Sequence, residues 1–472
     1  MSNKISFISG NFNIIHAGHI RLFKFAKTIS DKLIVGLYSD NLIAGHSFLN
    51  QKLRYESLSQ LKVIDQIIII NRSLKSTILK VKPNYIVKGF EFTNIMNEEL
   101  EIIKKINCEL VFSSGESNIP LTNYRKSQII DKYKAPEDFL NRHKLNKNLL
   151  VSIIEKFKKL NVTVIGDLIV DEYISCNPVG MSKETNNIVY SFQDKKKYLG
   201  GAGIVASHAS QLGAKVEFIS SCGYDKDGRF AIDQLKKNDV KVKLFKNNLI
   251  NTVNKKRFKF GNDSLFRINH LNQKVLDTKL SKKIFDYFKK IIKRTDILIF
   301  SDFNYGLLDE NLIEKIIVLA KKNKVFISAD SQTSSQIGNI KKFKYANLIT
   351  PTEFEARSNL NDDKSGVVIL AEKLRENIKS ENIILTQGNE GIFIHSHDNK
   401  SSNYKNDIIK PLNKEAYDVA GAGDSFLVAC SLAMQISRNI WASSLLGSLA
   451  SAIQVSREGN VPISNKELKL NL

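Results

Sequence analysis

Short β-branched runs alternate with amphipathic helical stretches along almost the whole chain, and this alternation constrains the fold more than any single motif. KISFIS, DKLIVGLYS, DQIIII, NYIVKG and CELVFSS read as strands. Between them, HIRLFKFAKTI, YESLSQLKVI, LKSTILKVK and NEELEIIKKI repeat apolar residues at helical spacing. Strands that alternate with helices build a parallel sheet covered on both faces, and ligands of such sheets bind outside the carboxyl ends of the strands. The alternation breaks at KYKAPEDFLNRHKLNKN (132–148), which is polar and holds a proline. It restarts on a larger scale near Leu149, with strands in NVTVIGDLIVDEYI, KVEFISSCG, DILIFSDF, KVFISAD, NLITP and NIILTQG. Within that half, TVNKKRFKFGNDSLFRINH reads as hairpin-like β structure. A chain of 472 residues is too long for one compact core. The expectation is an α/β protein of two domains, 1–133 and 149–472, joined by a linker at 134–148.

No apolar run approaches the roughly eighteen residues of a membrane span, and MSNKISFISG enters a strand without a signal-peptide layout. Cys108, Cys176, Cys222 and Cys430 are scattered without CxxC spacing, which reads as a reduced, cytoplasmic protein with no disulfide framework and no zinc site. The net charge of +22 raises nucleic acid as a partner. Against this, the lysines are spread over nearly every helix, as in KKIFDYFKKIIKR, and form no basic arm with interleaved aromatics. The expected partners are phosphorylated small molecules, with no nucleic acid and no membrane.

In FISGNFNIIHAGHIRLF, a strand gives way to a helix near Gly18, and His16 and His19 flank that point. Helix-start N–H groups and the dipole attract anions there. Two imidazoles at this entrance can reach one triphosphate and stabilise charge on the bridging oxygen as pyrophosphate leaves. Ordinary surface or metal-binding histidines are the alternative for a bare His-x-x-His. The stretch Gly10-Asn11-Phe12-Asn13-Ile14-Ile15-His16-Ala17-Gly18-His19 closely resembles the His-x-Gly-His nucleotidyltransferases, a cytidylyltransferase-like family with a Rossmann-like fold. LIVGLYSD, RYESLSQLKVIDQIII and IVKGFEF follow in the family's order. The resemblance implies a nucleotide site at Gly10, Phe12, Gly18, Arg54 and Lys88, with His16 and His19 catalytic and ATP or CTP as substrate. Asn13 stands where the family has Asp, and the family's last motif is blurred to SGESNIPLTNYRKSQ, where Thr122, Arg125 and Ser127 are weak candidates.

YDVAGAGDSFLVACSLAM carries the second constellation. Gly421, Ala422 and Gly423 leave room for successive N–H groups to turn inward as a nest for an oxyanion, and the following helix adds its dipole. A carboxylate beside the nest, Asp424, can take a proton from a hydroxyl that attacks the γ-phosphate of ATP. Asp as a plain helix cap is the alternative, although a cap does not require Gly-Ala-Gly before it. The stretch resembles the signature of ribokinase-like sugar kinases, and GDLIVDEYI, GGAGIVASHASQLGA, SDFNYG, TPTEFEA and TQGNEG follow that family's order. The resemblance implies a ribokinase-like α/β domain with a small β lid. It places the sugar at Asp167, Asp171, Gly200 and Gly201, the nucleotide at Gly388 and the Gly-Ala-Gly nest, and Mg2+ near Glu355, with a homodimer formed through the lid. Ile204 and Thr352 stand where the family has Asn, Tyr305 where it has Lys, and Gln332 where it has Lys or Arg. Within the family the likeness is to heptose-7-phosphate kinases joined to heptose-1-phosphate adenylyltransferases, with the domain order reversed here. It implies sugar activation for surface polysaccharide, with one domain reduced to a binding module as the rival. Arg257 and Arg267 are candidate phosphate contacts or solvated charges, and His208 and Trp441 read as packing residues.

Overall fold

The computed structural model describes residues 4–13, 15, 17–42, 49–89, 103, 106, 108–113, 133, 135–185, 187–248, 250–261, 263–271, 278–333, 336–397 and 404–472. These fall into two compact units, 1–130 and 131–472.

In the first unit β1 (Ile5–Gly10), β2 (Lys32–Tyr38), β3 (Gln66–Ile70), β4 (Tyr85–Gly89) and β5 (Glu109–Ser113) form one parallel sheet in the order β3-β2-β1-β4-β5. Successive residues of β2 are buried in turn, with Leu33 and Val35 on one face and Ile34 on the other. That is why the strand sequences are continuously apolar rather than alternating. The order of connection reverses at β1, whose neighbours are β2 and β4, so a ligand crevice opens beyond Gly10. Gly10 leaves room there for an aromatic ring. The Phe12 ring folds back so closely that a Cβ at Gly10 would lie 2.9 Å from it, and Phe12 itself adopts φ +47°.

In the second unit β6 (Asn161–Gly166), β9 (Lys215–Cys222), β10 (Lys241–Lys246), β13 (Ile297–Asp302), β14 (Phe326–Ser331), β15 (Leu348–Ile349), β16 (Asn382–Thr386), β17 (Ile392–His397) and β18 (Tyr404–Ile409) form a sheet in the order β10-β9-β6-β13-β14-β15-β16-β17-β18. It is parallel up to β16 and antiparallel beyond. A second sheet, β12-β11-β7-β8, joins β7 (Leu168–Met181), β8 (Ile188–Gly201) and the expected hairpin β11 (Val253–Phe260) and β12 (Asp263–His270). Its near half is buried, as Ile169, Val170 and Tyr173 show, whereas Val179, Met181 and Phe192 at the far end are exposed. It is a lid rooted at the carboxyl end of β6.

Residues 134–148, expected as a linker, contain the helix Glu137–Arg142, which belongs to the second unit. Phe139 is 1% exposed in the same core as Ile154, Phe157 and Phe426. His143 stacks on Trp441 at 4.1 Å between ring centroids and sits 2.6 Å from Asp407. One buried aromatic per short helix is enough to dock it, and the surrounding charges conceal that in the sequence. Among the described residues no helix is long and apolar enough to cross a membrane, and all four cysteines are buried and free. Phe139→Ala is expected to destabilise the second unit by about 3 kcal/mol, measured as a lowered denaturation midpoint of that unit alone.

Candidate active site

The helix Ala422–Ser437 starts where Gly421 takes φ +74°, a conformation that suits glycine. A Cβ on Gly421 would fall 2.4 Å from Asn460 Oδ1, so space as well as backbone excludes other residues. The Ala422 N–H makes a long 3.4 Å bond to the Val419 carbonyl. The N–H groups that follow it lack intrahelical acceptors by helix geometry and are donors available to an anion. Asp424 lies in this first turn and is 5% exposed. Its Oδ1 accepts from Gln332 Nε2 at 2.9 Å. Burial, and then the Asp171 carboxylate, push its carboxyl up to about 7, against the pull of Gln332 and Lys255. A carboxylate set there can accept a proton near neutral pH.

Asp424, Gly421, Ala422, Gly423, Gly388, Glu355, Asp171 and Gly201 line one cavity of about 650 Å³. Asp171, from the near half of the lid, accepts from Arg257 Nη2 at 3.2 Å and from Asn460 Nδ2 at 3.0 Å. At the other end Glu355 accepts the backbone N–H of Thr333 at 2.5 Å and that of Thr352 at 2.8 Å, while Thr352 caps the helix Glu353–Leu360. Asp330, at the carboxyl end of β14, is 4% exposed and its Oδ1 has no hydrogen-bond partner. Its carboxyl is raised well above the ordinary range by burial and by Glu355 and Asp424. Among the described residues no three metal-ligating side chains cluster tightly enough to bind an ion unaided.

Asp167 does not line this cavity. Its Oδ2 accepts the N–H groups of Phe303 at 2.9 Å and Tyr305 at 3.3 Å, so it fastens the loop after β13 instead of facing a sugar. Burial next to Asp302 pushes its carboxyl up to about 6. Gly200 also stands behind the cavity, where a Cβ would collide with Asp171. Ile204 lies in the core at 0% exposure, so its departure from Asn does not touch the cavity. Arg257 lines the cavity while Arg267 is exposed on β12. His208 is fully buried, with Nδ1 accepting from the Ile463 N–H and burial driving its imidazole down to about 3. Lys255, Asp330 and Asn460 were not legible as site residues. Asp330 had one signal, a carboxylate at the carboxyl end of a parallel strand.

In the first unit His19 lies in the helix Ala17–Thr28, with its ring edge-on to Phe12 at 5.3 Å. Lys88 closes β4 beside Gly89, and Gly18 is in the first turn of the helix. His16, Thr122, Arg125 and Ser127 lie outside the described residues. Arg54 departs from expectation. It is 0% exposed, and its guanidinium donates to the carbonyls of Leu49, Asn11 and Tyr38 and pairs with Asp40 at 2.5 Å. It is a strut that ties the loop after β1 to the end of β2, with four of its five N–H hydrogens held by protein acceptors.

A lid sheet rooted at the switch region of a parallel sheet, with a carboxylate at a glycine-led helix start, defines an α/β fold of carbohydrate-kinase type. Residues 159–466 match the pfkB family carbohydrate kinases and residues 7–134 the cytidylyltransferase-like family. The chain belongs to the pfkB family. It is 29% identical over 318 residues to the bifunctional protein HldE of Helicobacter acinonychis, covering 66% of this chain and 66% of that protein, just under two thirds of its length. Its fold is that of phosphofructokinase-2 from Escherichia coli (15% identity, TM-score 0.55, 66% of this chain and 97% of that one). Ribokinase from Arabidopsis thaliana shares it (16% identity, TM-score 0.52, 66% and 99%).

Arg54→Ala is expected to cost the first unit about 3 kcal/mol, because three carbonyls and Asp40 lose a buried partner. Faster amide exchange across residues 32–38 is the readout. A variant with unchanged exchange and only weaker nucleotide binding would return Arg54 to the ligand.

Proposed function

We propose that the second unit transfers the γ-phosphate of ATP to a sugar hydroxyl, the acceptor being a sugar phosphate of the heptose-7-phosphate kind. We propose also that the first unit joins a sugar 1-phosphate to a nucleoside monophosphate from ATP or CTP, giving an NDP-sugar of the ADP-heptose kind for surface polysaccharide. The observation that carries the kinase reading is the buried Asp424 at the glycine-led helix start, sharing one cavity with Asp171. In the proposed step Asp424 accepts the proton of the acceptor hydroxyl as that oxygen bonds to the γ-phosphorus. The bond from the γ-phosphorus to the bridging oxygen breaks, and ADP leaves with the electron pair. The helix-start N–H groups at the Gly-Ala-Gly turn hold the charge on the moving phosphoryl group.

Asp330 and Glu355 fit Mg2+. The buried Asp330 Oδ1 has no hydrogen-bond partner and is open to a cation, and Glu355 retains lone pairs that can order the ion's waters. When bound, the ion supplies positive charge against the β- and γ-phosphates. In the first unit His16 and His19 stabilise the bridging oxygen as pyrophosphate leaves, and Gly10, Gly18 and Lys88 contribute to the nucleotide site. The cytidylyltransferase-like match and the crevice beyond Gly10 support this. Exposed Val179, Met181, Phe192 and Phe266 on the lid support a homodimer through that sheet. A second reading keeps the first unit as a binding module. It is favoured by Asn13, whose buried Oδ1 has no partner where the resembled family has Asp.

The test is mass spectrometry of products from MgATP or MgCTP with D-glycero-D-manno-heptose 7-phosphate, its 1-phosphate and other sugar phosphates. Asp424→Asn is expected to lower the phosphorylation rate by about 10²–10⁴-fold and to leave nucleotidyl transfer intact. His16→Ala is expected to do the reverse. Wild-type phosphorylation by Asp424→Asn would overturn the kinase assignment, and His16→Ala without effect on any activity would leave the binding-module reading standing.

The pH dependence of stability has a definite sign. A folded carboxyl at about 7 binds a proton that the unfolded chain has released from about 4 upward. Stability therefore falls as pH rises through that window, and Asp424→Asn, which carries no charge to bury, is expected to melt higher than wild type at pH 8. Equal or lower melting of the variant at pH 8 would contradict the raised carboxyl.

A further inference from the structure

Three side chains form a continuous row along one wall of the cavity. Arg257 Nη2 holds one oxygen of Asp171, and Asn460 Nδ2 holds the other. The carboxylate can only accept, so it fixes which end of the Asn460 amide faces it. That leaves Asn460 Oδ1 buried with no hydrogen-bond partner, although the residue is only 6% exposed. At the opposite end Arg257 Nε is likewise buried without a partner. All three residues line the cavity that holds Asp424, and Asn460 Oδ1 lies against the Gly421 turn. The row thus presents a free donor, a carboxylate with spare lone pairs and a free acceptor, in that sequence. Buried polar atoms left unpaired cost stability, and an occupant that pairs with both ends recovers that cost.

We propose that Asn460 is a specificity-determining residue of the acceptor site: its Oδ1 takes a hydrogen bond from a hydroxyl of the acceptor while Arg257 Nε donates to a neighbouring oxygen. The occupant is a polyol segment with adjacent hydroxyls, since each hydroxyl both donates and accepts and a pair of them can span the row. Asn460 performs no proton transfer. It discriminates through the acceptor and, by holding Asp171, sets that carboxylate's direction. The inference rests on the kinase reading of this cavity.

The experiment uses the full chain with MgATP and D-glycero-D-manno-heptose 7-phosphate, together with its monodeoxy analogues, or with whichever sugar phosphate wild type turns over best and its analogues. Asn460→Leu is expected to lower kcat/KM for the parent acceptor about 10–100-fold, with KM for ATP within about twofold of wild type, which also reports that the variant is folded. One monodeoxy analogue is expected to be poor with wild type yet to lose nothing further in Asn460→Leu. Asn460→Asp, which keeps an acceptor oxygen but loses the donor to Asp171, is expected to retain wild-type discrimination against that analogue at a lower overall rate. Equal losses for the parent and every analogue in Asn460→Leu would overturn the proposal and leave Asn460 as a support for Asp171 alone. Absence of acceptor phosphorylation by wild type across the panel would overturn the kinase reading itself, an outcome separate from uniform losses in an active enzyme.

Discussion

Two carboxylates in one buried cavity set the terms for the rest of the second unit. Asp424 and Asp171 repel each other, and burial alone already disfavours charge on Asp424. The surrounding architecture answers that cost. Gln332 donates to Asp424, Arg257 and Asn460 hold Asp171, and a helix start brings unpaired N–H groups to the same point. Each partner comes from a different element: the end of β14, the lid strand β11, the turn near the C-terminal helix and the Gly421 turn. A cavity assembled from so many elements exists only when the whole unit is folded.

The lid is part of that answer. β11 alternates Asn254, Lys256 and Phe258 with Lys255, Arg257 and Lys259, and the latter three stack on aromatic rings of the site region. Lys255 lies over Phe303 and Tyr305, and Arg257 and Lys259 over Tyr173. Tyr173 in turn donates to Asp418, which also accepts the Gly459 N–H. Lys255 and Arg257 thus line the cavity while their cationic groups lie over these rings. The stretch that reads in the sequence as hairpin-like β structure places Lys255 and Arg257 on the cavity wall.

The parallel sheets, the two-unit division and the hairpin of the lid were legible because period and composition report burial directly, and a strand such as KLIVGLY can only be covered on both faces. The Gly-Ala-Gly-Asp turn was legible because its backbone conformation restricts which residues fit. Arg54 and Asp167 were misread for one shared reason. A charged residue in a site motif can serve the loop rather than the ligand, and only the hydrogen-bond partners distinguish the two. The 134–148 segment was misread because a single Phe139 decides its docking and leaves no periodic trace. Lys255 and Asn460 were missed because their significance depends on contacts with residues distant in the chain, such as Asn460 with Asp171, 289 residues apart.

The most direct measurement is the pH dependence of kcat/KM for phosphoryl transfer to the acceptor by the full chain. If Asp424 is the base and its carboxyl sits where burial and Asp171 place it, the rate rises with pH through an acid limb centred near 7 and then levels. A rate that is flat from pH 5 upward would contradict the account, because no carboxyl raised by burial would then control the step.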